Sequence, residues 1–86
     1  MYKIVLNSRA KKDAILIERA NLKNKVAKLI QIIRINPFQN PPQYEKLRGD
    51  FTGSYSCRIN EQHRLIYQVY EEENTIKIIR MWKNYE

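Results

Sequence analysis

Residues 54–70, SYSCRINEQHRLIYQVY, decide the fold. Tyr55, Cys57 and Ile59 alternate with Ser54, Ser56 and Arg58; Leu65, Tyr67 and Val69 alternate with Arg64, Ile66 and Gln68. Period-two alternation of this kind marks strands with one buried face. With residues 60–62 as the hairpin loop, Ile59 pairs with His63, Arg58 with Arg64 and Cys57 with Leu65. Opposed residues share a face. Tyr55, Cys57, Leu65, Tyr67 and Val69 then lie on the core side, and Arg58 and Arg64 stand side by side on the other. Like charges directly opposite one another destabilise a sheet. Two readings follow. A phosphate sits between the two guanidinium groups, whose planar forks match its oxygens. Alternatively, the register is off by one, or Glu45 and Glu61 neutralise the pair.

Upstream, residues 2–6 (YKIVL) read as a strand. Asn7 or Ser8 can cap a helix, because a short side-chain oxygen satisfies the free N–H groups of its first turn. Ala10, Ala14 and Ile17 then form one helical stripe. The pattern resets near Asn21, and a second helix runs to Ile35 with Val26, Leu29, Ile30 and Ile33 on one face. Asn36-Pro37 ends it, since the residue before proline avoids the helical region. Residues 36–53 hold all three prolines and both glycines and show no period. They are expected to be one long loop, a length often associated with function. Beyond the hairpin, the acidic turn at 71–74 leads into a last strand over residues 75–82. The expected order is β-α-α-β-β-β. It forms an α+β domain over residues 1–86, with two helices on one face of a mostly antiparallel sheet and the other face partly open.

A chain of 86 residues supports one modest core. Its one cysteine, Cys57, has no partner for an internal disulfide, and neither cysteine nor histidine spacing suits zinc. No cofactor is expected. There is neither a signal-peptide pattern nor a run of about 18 apolar residues, so the expectation is a cytoplasmic protein without a membrane. Sixteen Lys and Arg against nine Asp and Glu give a formal charge of +7. That balance suits a polyanion or an acidic partner protein, or it is simply a solvated basic surface. The lysines of the helices leave the same two readings open.

A nuclease that uses the RNA's own 2′-OH as nucleophile needs a base, cations for the phosphorane and an acid for the leaving oxygen. Glu45 is the base candidate; Lys46, Arg48, Arg58, Arg64 and Arg80 supply cations. His63 would be the obvious acid, but the register turns it to the helix side, where a lone histidine is more often structural. Trp82 and Tyr85 are aromatic enough to stack on a base, and Trp82 equally suits packing.

The runs NPFQNPPQYEKLRGD, SYSCRINEQHRLIYQVYEEE and IRMWKNYE resemble the Txe/YoeB family of bacterial toxins within the RelE-like superfamily. The likeness extends over essentially the whole chain, MYKIVL included. It implies the fold order given above and an mRNA endoribonuclease that cuts at the ribosome and inhibits translation. It also implies a neighbouring Phd/YefM-type antitoxin that neutralises the toxin and joins it in repressing the operon. On that resemblance Glu45 matches the catalytic glutamate, Arg48, Arg58 and Arg64 the basic residues around the phosphate, and Tyr85 the C-terminal tyrosine. Arg64 is the match for the arginine credited with transition-state stabilisation.

Two positions depart from the family. Its members typically end in a His-Tyr pair whose histidine is the general acid; this chain has Asn84 there. An amide donates no proton at useful pH. Three consequences stay open: a weakened natural toxin, Lys83 or Tyr85 acting as the acid, or an engineered detoxified variant. At the second, Cys57, the family often carries arginine. Two other functions compete, namely a binding module that occupies the ribosome or antitoxin without cutting, and a gyrase inhibitor of the same superfamily.

Overall fold

The structure, a computed structural model, describes residues 1–82. Strand β1 (Lys3–Leu6) leads into helices α1 (Ser8–Arg19) and α2 (Lys23–Ile35). Four strands follow: β2 (Tyr44–Lys46), β3 (Tyr55–Arg58), β4 (Arg64–Tyr70) and β5 (Thr75–Arg80). They form one sheet in the order β1-β5-β4-β3-β2; β1 runs parallel to β5 and every other pairing is antiparallel. This is the expected α+β arrangement with one strand added.

The helix boundaries follow from local chemistry. Asn7 caps α1, its Oδ1 accepting from the Ala10 N–H at 2.8 Å. At the other end Asn21 takes φ of 61°. Its N–H donates to the Glu18 carbonyl, while the Leu22 N–H donates to that of Ile17. Together these form a Schellman closure that satisfies the last carbonyls of the helix. Asparagine tolerates the left-handed region better than most residues, which is why the pattern resets there. Extended Asn36 ends α2 before Pro37.

The core lies between the helices and one face of the sheet. Ala10 and Ile17 of α1 and Val26 and Ile33 of α2 pack with Cys57, Leu65, Tyr67, Ile76 and Ile78. Fully burying one such large side chain stabilises the fold by roughly 1.5–3 kcal/mol. The hairpin register is the expected one: Arg58 opposes Arg64, Cys57 opposes Leu65, and Tyr55 opposes Tyr67. Asn60 shapes the loop, its Oδ1 accepting from the N–H groups of Gln62 and His63. The shifted-register alternative is thereby excluded, and Cys57 lies in the core.

Residues 36–53 depart from expectation. They are not one unbroken loop, because residues 44–46 pair with β3 and residues 49–51 form a short 3-10 turn. A three-residue edge strand is too short to show a period; its partner strand creates it. Aromatic packing holds this segment down. Phe38 lies 4.9 Å from Tyr55 and 5.6 Å from Tyr44, ring centre to ring centre. The Tyr67 hydroxyl reaches across to donate to the Pro37 carbonyl at 2.7 Å. At Gly53 φ is +90°, a left-handed turn into β3 that favours glycine. The last strand is also shorter than expected: β5 stops at Arg80, and a bulge opposite Ile66 and Tyr67 disturbs its end.

Candidate active site

Glu45, Arg58 and Arg64 meet in one cleft. The pairing of β2 with β3 sets Glu45 opposite Ser56, hence on the sheet face that carries Arg58. Together with Pro42 and Gln43, these three residues line a cleft of about 370 Å³ on the face turned away from the helices. The Glu45 carboxylate comes within 3.7 Å of the Arg64 guanidinium. The Glu45 side chain keeps 57% of its surface in solvent, whereas Arg64 keeps 16%. An ion pair with one partner so exposed contributes at most about 1 kcal/mol. Among the described residues, one carboxylate against two guanidinium groups makes the cleft lining cationic, so neutralisation by Glu45 is partial. Glu61 lines a separate hollow beside His63 and Trp82.

The Arg64 Nη1 also donates to the Ser56 hydroxyl at 3.1 Å. Ser56 is fully buried. Chemically the cleft offers an exposed carboxylate that can accept a proton beside an anchored guanidinium. A bridging phosphodiester fits that pairing, its charge near the arginines and its neighbouring hydroxyl near the glutamate.

The other expected cations lie elsewhere. Lys46 follows Glu45 in β2 and so projects to the opposite face, against Tyr55. Lys46 and Arg48 are exposed, and neither is among the described residues that line the cleft. Arg80 turns toward the helices, where its Nε donates to Asp13 Oδ2 at 2.9 Å and its Nη2 to Oδ1 at 3.4 Å. The same Asp13 Oδ2 accepts from the Met81 N–H at 3.0 Å. Arg80 therefore braces the end of β5 against α1, a correction to its expected place at the phosphate. Alternation along β5 puts Arg80 on the face of Ile76 and Ile78, and a buried carboxylate attracts it. Asp13 carries a sequence signal of its own: it lies three residues after Ala10 and four before Ile17, within the buried stripe.

His63 is on the helix side as expected, stacked on Trp82 with ring centres 4.0 Å apart and planes 21° from parallel. Burial pushes its imidazole below the ordinary value of 6.5. Trp82 is thereby engaged in packing. The Cys57 thiol, buried, is pushed up to about 11, with nearby Arg64 pulling weakly the other way. It is inert as a nucleophile at neutral pH. Asn84 and Tyr85, expected at the acid and tyrosine positions, lie outside the described residues, as does Lys83.

Fold and cleft together define a small α+β toxin domain of RelE-like architecture. The YoeB/ParE toxin from Agrobacterium tumefaciens superposes with a TM-score of 0.87 at 28% identity, over 96% of this chain and 99% of that one. YoeB in the YoeB-YefM complex from Staphylococcus aureus gives 0.82 at 32% identity over 99% of each. In sequence, Toxin YoeB of Mycobacterium bovis is 35% identical over 52 residues, 60% of this chain and 61% of that protein. The match thus spans about three fifths of that curated relative. The family model described as the YoeB-like toxin of bacterial type II toxin-antitoxin systems matches residues 10–85, and the chain belongs to that family.

Among the described residues no helix is long and apolar enough to cross a membrane.

Proposed function

We propose that this chain is an endoribonuclease that cuts mRNA at the ribosome and so inhibits translation. The observation that carries this reading is the meeting of Glu45, Arg58 and Arg64 in one open cationic cleft. Glu45 takes the proton from the 2′-OH, and the freed oxygen attacks the adjacent phosphorus. Arg64, with Arg58 across the ladder, stabilises the negative charge that builds on the phosphorane oxygens. The bond from phosphorus to the 5′-oxygen then breaks, leaving a 2′,3′-cyclic phosphate and a 5′-hydroxyl end. That leaving oxygen takes its proton from solvent water, since Asn84 has none to give, and Glu45 returns its proton to solvent.

Primer extension on a defined mRNA in programmed ribosomes tests the reading. Cuts are expected, absent in Glu45→Ala and stronger in Asn84→His, where restored acid catalysis is worth up to about 10²–10⁴-fold. If no variant cuts while all still bind ribosomes, the nuclease reading falls. Asn84 supports the second reading, a ribosome- or antitoxin-binding module with impaired chemistry, and that outcome would establish it.

The partner proposed is a YefM-type antitoxin, the kind found with the Staphylococcus aureus relative. A chain with formal charge +7 and a cationic cleft suits an acidic, partly disordered segment that orders as it covers the site. Failure of the two to co-purify when expressed together would overturn this.

A further inference from the structure

We infer that Ser56 is a positioning residue for Arg64: its buried hydroxyl holds the guanidinium facing the cleft. The inference rests on the nuclease reading for its consequence, though not for its geometry. Ser56 has no exposed surface, so it does not touch RNA and acts only through its neighbour. Its backbone is gripped from both sides, opposite Glu45 of β2 and Ile66 of β4. A group placed this firmly makes a precise anchor, because the strand ladders on either side fix where its oxygen lies.

Arg64 needs such an anchor. Its register partner is Arg58, a like charge that pushes it away. One attraction that competes is Glu45, 3.7 Å off and mostly in solvent, which offers poor directional control. The hydroxyl accepts a single N–H from Nη1 at 3.1 Å. A guanidinium carries five N–H donors, and this bond engages one of them. Ser54 supplies an internal comparison two residues earlier. It is equally buried, yet its hydroxyl has no hydrogen-bond partner. Burial of a serine beside β3 does not by itself produce the bond; the bond to Arg64 belongs to Ser56.

The test compares Ser56→Ala with Ser54→Ala, two equal truncations at equally buried sites. Two measurements are made on each: NMR order of the Arg64 Nε–Hε group, and single-turnover mRNA cleavage alongside ribosome affinity. Ser56→Ala is expected to loosen Arg64 and slow cleavage about tenfold, the worth of one charge-assisted hydrogen bond, with ribosome affinity unchanged. Ser54→Ala is expected to do neither. An Arg64 as ordered in Ser56→Ala as in the parent overturns the inference, and so does equal slowing by both variants, which would mark packing alone. If the parent does not cut at all, the nuclease reading falls, and the NMR contrast alone decides whether Ser56 holds Arg64.

Discussion

Arg58 and Arg64 stand directly opposite one another in the β3–β4 ladder, on the sheet face turned away from the helices. Such a pair opposes folding and favours an anion. Glu45 and Ser56 both approach Arg64, and the two contacts are unequal. The serine is buried and fixed by its strand, whereas the glutamate is largely free to accept a proton. Stability given up at a ladder position is a recurring feature of functional sites.

Replacing Arg58 by threonine should therefore stabilise the chain while weakening RNA binding. The gain expected is about 0.5 kcal/mol, from relief of like-charge repulsion. Loss of one phosphate contact lowers the salt dependence of RNA affinity by about one unit of slope. Urea unfolding and binding titrations at several salt concentrations check both. A less stable Arg58→Thr protein would show that the repulsion is already compensated.

Asp13 should matter more to the fold than its place on a charged helix suggests. It is buried and joins α1 to both the Arg80 side chain and the Met81 backbone. Asp13→Ala takes a shared acceptor from the Arg80 guanidinium and the buried Met81 N–H, at a cost of about 3 kcal/mol. Asp13→Asn keeps an acceptor for one of them and costs less. Urea midpoints rank the variants. Arg80→Ala should likewise lose stability, with ribosome affinity retained in the folded fraction; a selective loss of affinity would return Arg80 to the RNA.

The His63–Trp82 stack should make stability depend on pH. Burial holds the folded-state imidazole below its ordinary value of 6.5, so the unfolded chain takes up the proton first as pH falls. This contribution is complete above the unfolded value. It is lost progressively as pH falls from there to the lower folded value, and is level beneath it. Urea midpoints at about pH 7.5 and about pH 5.5 should differ in the parent, and His63→Gln should flatten that part of the difference. Trp82 emission, quenched when the stacked ring is charged, should titrate instead about the lower folded-state value. An unchanged profile in His63→Gln would assign the effect to other groups.

Much of this protein is written locally. Alternation over residues 54–70 determined the hairpin, its register and the face of each side chain, because a period of two and an Asn-shaped loop are properties of neighbours. Asn7, Asn21 and Asn36-Pro37 bounded the helices for the same reason: a cap or a closing turn needs only three or four residues. Glu45, Arg58 and Arg64 could be named from residue type and order, within a larger set that also held Lys46, Arg48 and Arg80.

What joined them into a cleft was long-range. Strand β2 exists because β3 pairs with it and because Phe38, Tyr44 and Tyr55 pack together, contacts that no three-residue window contains. Arg80 and Asp13 are separated by 67 positions, and only the packing of α1 on β5 decided that they meet. The stacking of Trp82 on His63 and the anchoring of Arg64 by Ser56 are of the same kind. Side-chain periodicity assigns a residue to a face; which charged or hydroxyl group it touches there is settled when distant segments compete for the same buried space.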